Sequence, residues 1–227
     1  LLSVYFFLKG KNFRSALFFG LAISSKWSAI WAIPIFGLIF LRRTFKGGSF
    51  KGYSISVLWF LLLPFTIYLL TYLPMFLSGH SLTVWWEMQK QMWWYHTGLK
   101  ATHPYTSMWW SWPFLLRPIY LYTSEEVNGA VSRIYAMGNP IVFWFGLMSV
   151  FISFIYAYIE KNKKLGLVVF SYLIFFVPWA ASPRIMFLYH YLPSIPFMCI
   201  AIAYVLRRTP KLIFAYLFIC LLVYLLI

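Results

Sequence analysis

Aspartate is absent from this sequence, and glutamate occurs only at positions 87, 125, 126 and 160. Charged residues of either sign make up 10% of the 227 positions, against about 25% in a soluble globular domain. So few charges cannot cover the surface of a water-soluble fold of this size. That excludes a soluble domain, a disordered chain and a nucleic-acid binder. Cysteine is scarce too: Cys199 and Cys220 both lie inside apolar runs, which argues against a disulfide framework. There is no P-loop, no glycine-rich dinucleotide motif and no HExxH pattern. A pair of carboxylates with acid–base spacing is also missing. The chain opens at Leu1-Leu2 without Met, ends in an apolar run and carries no signal-peptide pattern, so it reads as part of a longer protein.

What is present is apolar and basic. Hydrophobic residues reach 63%, aromatic residues 23%, and the net charge is +15. A bilayer core of about 30 Å needs about 20 apolar residues in a helix. Candidate segments are 13–41, 55–77, 139–159, 165–181, 185–206 and 212–227. The breaks between them carry Lys9/Lys11/Arg14, Arg42/Arg43/Lys46/Lys51, Lys161/Lys163/Lys164 and Arg207/Arg208/Lys211, which together hold 13 of the 19 cations. Short loops rich in Lys and Arg stay cytoplasmic. Segment 13–41 has such clusters at both ends, so it is expected to turn back as a hairpin with its tip at Ser24-Ser25-Lys26. The same holds for 165–206, broken at Ser182-Pro183-Arg184. The expected fold is an all-α polytopic membrane protein. Residues 1–8 form the tail of a preceding span, 9–78 a hairpin (13–41) and one span (55–77), 79–138 an extracytoplasmic loop, and 139–227 a four-span region.

The loop is aromatic. It holds seven of the twelve tryptophans and three of the four histidines. Positions 82, 85, 86, 89, 92, 93 and 96 follow helical spacing and read Leu, Trp, Trp, Gln, Met, Trp, His, the pattern of a helix lying in the membrane interface. Tryptophan favours that depth because its ring is apolar and its N–H needs a partner; anchoring the loop accounts for the pairs equally well. Six cations fall where the orientation rule does not want them: Lys26, Lys90, Lys100, Arg117, Arg133 and Arg184. Lys26 and Arg184 each sit at a hairpin tip. Each reads either as a cation snorkelling to the interface or as a ligand for a lipid phosphate. His96 and His103 on the loop lack a third metal ligand, so no metal site is assigned. Glu125-Glu126 reads as a solvated pair or as a general base, and His190, flanked by Tyr189 and Tyr191, reads as a cavity wall or a helix cap.

The stretch HTGLKATHPYTSMWWSWPFLLRPIYLY (96–122) closely resembles a loop of bacterial protein O-mannosyltransferases, the GT-C-type enzymes that use polyprenyl-phosphate-mannose. GLAISSKWSAIWAIP (20–34) is similar to the family's small-residue–Ser–Lys–Trp hairpin. Gly138-Asn139-Pro140 is similar to the start of its C-terminal four-span region, and PRIMFLYHYLPSIPF (183–197) resembles its PR-x-x-F-x-YHYLP segment. The resemblance implies a GT-C-like transmembrane bundle in a multi-pass protein of the bacterial plasma membrane. It implies transfer of mannose, with inversion, from a polyprenyl phosphate to Ser or Thr of a secreted polypeptide. The Sec translocon is a further candidate partner, and nucleic acid is not one. The family's catalytic acidic pair lies in a first outer loop upstream of these residues, in line with the absence of Asp here. The implied roles for this chain are donor-phosphate binding by Lys26, Arg184 and Arg117, and a substrate cleft shaped by His96, Thr97, His103, Tyr105, Trp110, Trp112, Tyr189 and His190. A GT-C enzyme with a glycan or lipid acceptor, a transporter for a lipid-linked sugar and a non-catalytic partner subunit are the competing readings.

Overall fold

A computed structural model describes residues 1–45, 50–98, 101–126 and 128–226, with the backbone alone for 50–54. Lys46, Leu99, Lys100 and the Lys51 side chain, all named above, lie outside the described residues. The chain forms two compact units, residues 1–96 and 97–227.

In the first unit, α1 (Leu2–Leu8) leads into α2 (Asn12–Ser25), which stops at Lys26. A 3-10 segment, Trp27–Ala32, follows, and α3 (Ile33–Thr44) starts with Pro34 in its first turn, where a missing N–H costs nothing. The chain doubles back here. Arg43, in the last turn of α3, donates to the carbonyls of Phe7 and Leu8 at the end of α1, and its guanidinium lies 5.0 Å from the Phe7 ring centroid. Phe7, Phe19, Phe36 and Phe60 pack as mutually tilted or edge-on rings between the helices. They line a cavity of about 280 Å³ that Ser56 also borders.

Next, α4 (Phe50–Leu70) crosses α2 at Gly20. A Cβ at Gly20 would meet the Pro64 backbone at 2.9 Å and Ile67 Cδ1 at 2.7 Å, so glycine sets the approach of these two helices. The short α5 (Leu73–Leu77) and then α6 (Leu82–Thr97) follow. The aromatic stripe of α6 divides. Trp85, Gln89 and Met92 turn toward Tyr68 of α4 and Tyr72 in the turn that follows it, while Trp86 and Trp93 stay 55% and 64% exposed.

The second unit holds one β-ribbon among the described residues. β1 (Ile119–Thr123) pairs antiparallel with β2 (Arg133–Ala136), with a bulge between Tyr120 and Tyr122. The sequence reading took this stretch as irregular loop. The usable signal was Asn128-Gly129, both at positive φ (53° and 77°) in the turn of the ribbon.

The remainder is four helices: α7 (Pro140–Ile159), α8 (Lys163–Phe176), α9 (Ile195–Leu206) and α10 (Lys211–Leu226). With their 3-10 extensions, 140–159, 163–181 and 188–206 are each long and apolar enough to cross a membrane. The protein is therefore a multi-pass membrane protein. Asn139 explains the start of α7: its Oδ1 accepts from the Ile141 and Val142 amides, and its Nδ2 donates to the Cys220 carbonyl of α10. Gly138 precedes it because any Cβ there would strike the Phe143 ring at 2.1 Å. Gly146, Ser149 and Ser153 form the buried face of α7; at Gly146 an added Cβ would meet only the flexible Met198 side chain, at 2.6 Å.

At the far end of α7, Glu160 pairs with Arg208 and accepts from the Tyr204 hydroxyl at 2.9 Å. Arg208 lies 3.7 Å from the Tyr156 ring centroid. The hydrogen bond from Arg208, then that from Tyr204, holds the Glu160 carboxyl below its ordinary range.

Two stability predictions follow from this packing. Gly20→Ala should destabilise the protein by ~1–3 kcal/mol, because the Pro64 backbone cannot yield. Gly146→Ala, relieved by Met198, should cost less than about 1 kcal/mol; thermal unfolding in detergent compares them. A carboxyl depressed in the folded state stabilises above its ordinary value and stops doing so as pH falls through the depressed one. Glu160→Gln should therefore melt below wild type at neutral pH, with the two curves converging on acidification.

Candidate functional site

Lys26 owes its position to a break in a helix. Ser24 and Ser25 turn their hydroxyls back onto the Gly20 and Leu21 carbonyls at 2.9 Å. The Lys26 amide closes the last α turn on Ala22, and its carbonyl accepts from Ala29. Its backbone is extended, with φ −161° and ψ 127°. Lys26 itself is exposed, while the adjacent Trp27 is half-buried. The Trp27 indole donates to the Tyr68 hydroxyl at 2.9 Å. That hydroxyl donates in turn to Gln89 Oε1 at 2.6 Å and lies 3.0 Å from the Tyr72 hydroxyl. The His96 ring sits 6.1 Å from Trp27. No sequence motif singles out Tyr68 or Tyr72, and Gln89 enters only as one position of the α6 stripe. A pair of tyrosines at i, i+4 ending an apolar run, and a glutamine within a tryptophan helix, were the available signals.

In the second unit two peptide segments are laced together. The Ser107 amide and the Thr106 hydroxyl both donate to the Met186 carbonyl, at 2.9 and 3.2 Å. The His103 and Phe187 rings meet edge-on at 5.3 Å. Trp112 stacks on His190 at 6.1 Å and donates to Ser107 Oγ at 2.9 Å. Trp179 and Tyr189 pack on the same imidazole at 4.4 and 4.3 Å. His190 Nδ1 lies 3.1 Å from the Phe187 amide, capping the 3-10 turn Leu188–Ser194. Arg184 is half-buried on this segment, with Nε 3.4 Å from the Ile185 carbonyl.

Two of the residues expected to shape the cleft are buried here. Trp112 and His190 are 1% and 3% exposed, so neither offers an open stacking face; they form the floor on which the segments rest. Arg117 is exposed, and its Nη1 donates to the carbonyls of Pro104 and Thr106 at 2.7 and 3.3 Å, clamping the loop. Trp110, His103 and Thr97 remain at the surface, and Tyr189 is half-buried.

Tyr105 is drawn into a cluster on the ribbon. It stacks on Tyr120 at 5.0 Å and shares a hydroxyl contact of 3.3 Å with Tyr135. That bond holds the Tyr105 phenol above its ordinary value, with desolvation adding to it and Arg133 opposing it. Among the described residues no three His, Cys, Asp or Glu side chains gather as a metal site.

Residues 81–227 match the family model described as the C-terminal four-transmembrane region of protein O-mannosyltransferase. The chain belongs to this family. It is 25% identical over 241 residues to the polyprenol-phosphate-mannose–protein mannosyltransferase of Mycolicibacterium smegmatis, covering 86% of this chain and 46% of that one. The Mycobacterium tuberculosis protein of the same name is 24% identical over 244 residues, with the same coverage. Dolichyl-phosphate-mannose–protein mannosyltransferase 1 of Saccharomyces cerevisiae is 35% identical over 138 residues, which is 53% of this chain and 16% of that one. The chain spans about half the length of the bacterial relatives it matches. Among solved structures, the S. cerevisiae Pmt1–Pmt2 protein O-mannosyltransferase complex bound to the sugar donor is similar at a TM-score of 0.45 and 25% identity, over 63% of this chain and 23% of that one.

The family's loop thus carries an arginine whose observed contacts are with its own backbone. Arg117→Ala should raise amide hydrogen exchange across 104–107 while leaving the melting temperature within about 2 °C of wild type, since the loop lies outside the helical core. Unchanged exchange there would refute the clamp.

Proposed function

We propose that this chain is the donor-binding part of a protein O-mannosyltransferase. The whole enzyme moves mannose from polyprenyl-phosphate-mannose to Ser or Thr hydroxyls of secreted polypeptides, at the outer face of the bacterial plasma membrane. Residues 79–138 face that side, and acceptors arrive through the Sec translocon. The observation that carries the reading is the family match over 81–227, joined to the exposed lysine at the helix break of the first unit.

The chemistry follows from what the transfer needs. The acceptor hydroxyl oxygen bonds to the anomeric carbon as the bond from that carbon to the phosphate oxygen breaks, which inverts the centre. The hydroxyl proton passes to a carboxylate supplied upstream of these residues. Negative charge grows on the departing phosphate. A cation already in place at the membrane edge stabilises it without reorganising solvent, and Lys26 takes that role. Arg184 is the corresponding candidate on the C-terminal unit, where its planar guanidinium suits a phosphate. His103, Tyr105, Trp110 and Tyr189 of the second unit, with Thr97, shape the surface met by sugar and acceptor; His96 is the candidate of the first unit. Trp112, His190 and Arg117 support it from beneath.

Lys26→Ala in the full-length enzyme should lower kcat/KM for the lipid donor about a hundredfold, with membrane insertion intact. Wild-type turnover at limiting donor would overturn the phosphate role. Transfer to a glycan and not to a Ser/Thr peptide would overturn the protein acceptor.

A further inference from the structure

We propose that Tyr68 and Gln89 form a positioning relay that aims Lys26, coupling the tryptophan-rich helix α6 to the phosphate-binding turn. The proposal rests on the reading of Lys26 given above and adds residues that neither the sequence motifs nor the family description singles out.

The argument begins with the backbone. In an extended residue, successive side chains leave on opposite sides of the chain. Lys26 is extended, so the direction of Lys26 is tied to that of Trp27. Trp27 is drawn inward, its indole N–H bonded to the Tyr68 hydroxyl at 2.9 Å. While that bond holds, Lys26 points away from the packed helices, in keeping with its exposure. The rest of the turn is short 3-10 helix, a geometry with weaker bonds than the α form. The side-chain anchor therefore matters more here than it would within a continuous α-helix.

The anchor is itself directed. Gln89 Nε2 donates to the Trp85 carbonyl at 3.2 Å, so its Oε1 is the atom left to face Tyr68. That oxygen takes the single phenol proton, at 2.6 Å. The Tyr68 oxygen is then free to accept from Trp27. Each bond thereby fixes the sense of the next: Trp27 to Tyr68, Tyr68 to Gln89, Gln89 to its own helix. Gln89 is the one buried residue of α6, 9% exposed, in a helix whose Trp86, Trp93 and Trp94 are more than half exposed. An amide in that position buries polar atoms that leucine would not, and the relay is what those atoms do. With Gln89 seated against α4 the order of the bonds is set and the lysine is aimed; without Gln89 the Tyr68 proton has the Tyr72 hydroxyl, 3.0 Å away, to turn to, and that order is lost.

The test uses the full-length enzyme in nanodiscs, with KM for polyprenyl-phosphate-mannose and KM for a Ser/Thr acceptor peptide measured separately. Tyr68→Phe keeps the ring and removes the hydroxyl. It should raise donor KM about fivefold to tenfold, the scale of one hydrogen bond, and leave acceptor KM and melting temperature close to wild type. Gln89→Leu should match it. Gln89→Glu, which keeps an acceptor oxygen toward Tyr68, should recover most of the donor KM. Three results would overturn the relay: donor KM unchanged in Tyr68→Phe while Lys26→Ala raises it; donor and acceptor KM rising together with a falling melting temperature, as for loss of packing; or no recovery in Gln89→Glu. If Lys26→Ala itself leaves donor KM unchanged, the reading of Lys26 fails first and takes the relay with it.

Discussion

A helix that breaks inside a packed protein must find partners for the amides and carbonyls it releases, because an unpaired backbone group away from water is costly. This constraint organises the functional parts of both units. At Lys26 the debt is met locally, by two serine hydroxyls, the Lys26 amide and the Ala29 amide. At the turn before Leu188 the His190 ring caps the Phe187 amide, and Ser107 and Thr106 cover the Met186 carbonyl. Each break places a cation at a fixed address, Lys26 in one unit and Arg184 in the other. Thr106 and Ser107 of the aromatic loop cap the second break.

The sequence exposed the membrane class directly. Ten per cent charge and apolar runs of span length leave no other solution for a helical chain, and three of those runs, two of them with 3-10 extensions, are long enough to cross. The Ser-Ser-Lys interruption coincides with the end of α2, and the family emerged from motifs too long to arise by chance. The rest was hidden for specific reasons. Tyr68 and Gln89 are far apart in sequence and meaningful only as a pair. Periodicity assigned Trp85, Trp86, Gln89 and Trp93 to one stripe, whereas packing on α4 splits it, a decision made by shapes that sequence spacing does not record. The depth at which Trp112 and His190 lie is set by packing, which an aromatic motif does not record. The ribbon was missed because its aromatic strands lie within a loop already rich in aromatic residues.

Small residues fix the tolerances. Gly20 lets α2 and α4 approach until a Cβ has no room, and Gly146 does the same for α7 against a methionine that can move. The first contact is rigid and the second compliant. The rigid one belongs to the unit whose turn carries Lys26, where an angular error in α2 would be passed directly to the lysine. Asn139 gives the second unit a comparable fixed point, since one side chain starts α7 and ties it to α10.

The burial of Trp112 has a spectroscopic consequence. Of the twelve tryptophans it is the one counted in the buried core, packed against Trp179, Phe176, Tyr191 and His190. A quencher carried on lipid chains can reach most of the others and not this one. What emission survives such quenching reports from beneath the Ser107–Met186 junction, giving the floor of the second unit its own optical reporter without any label.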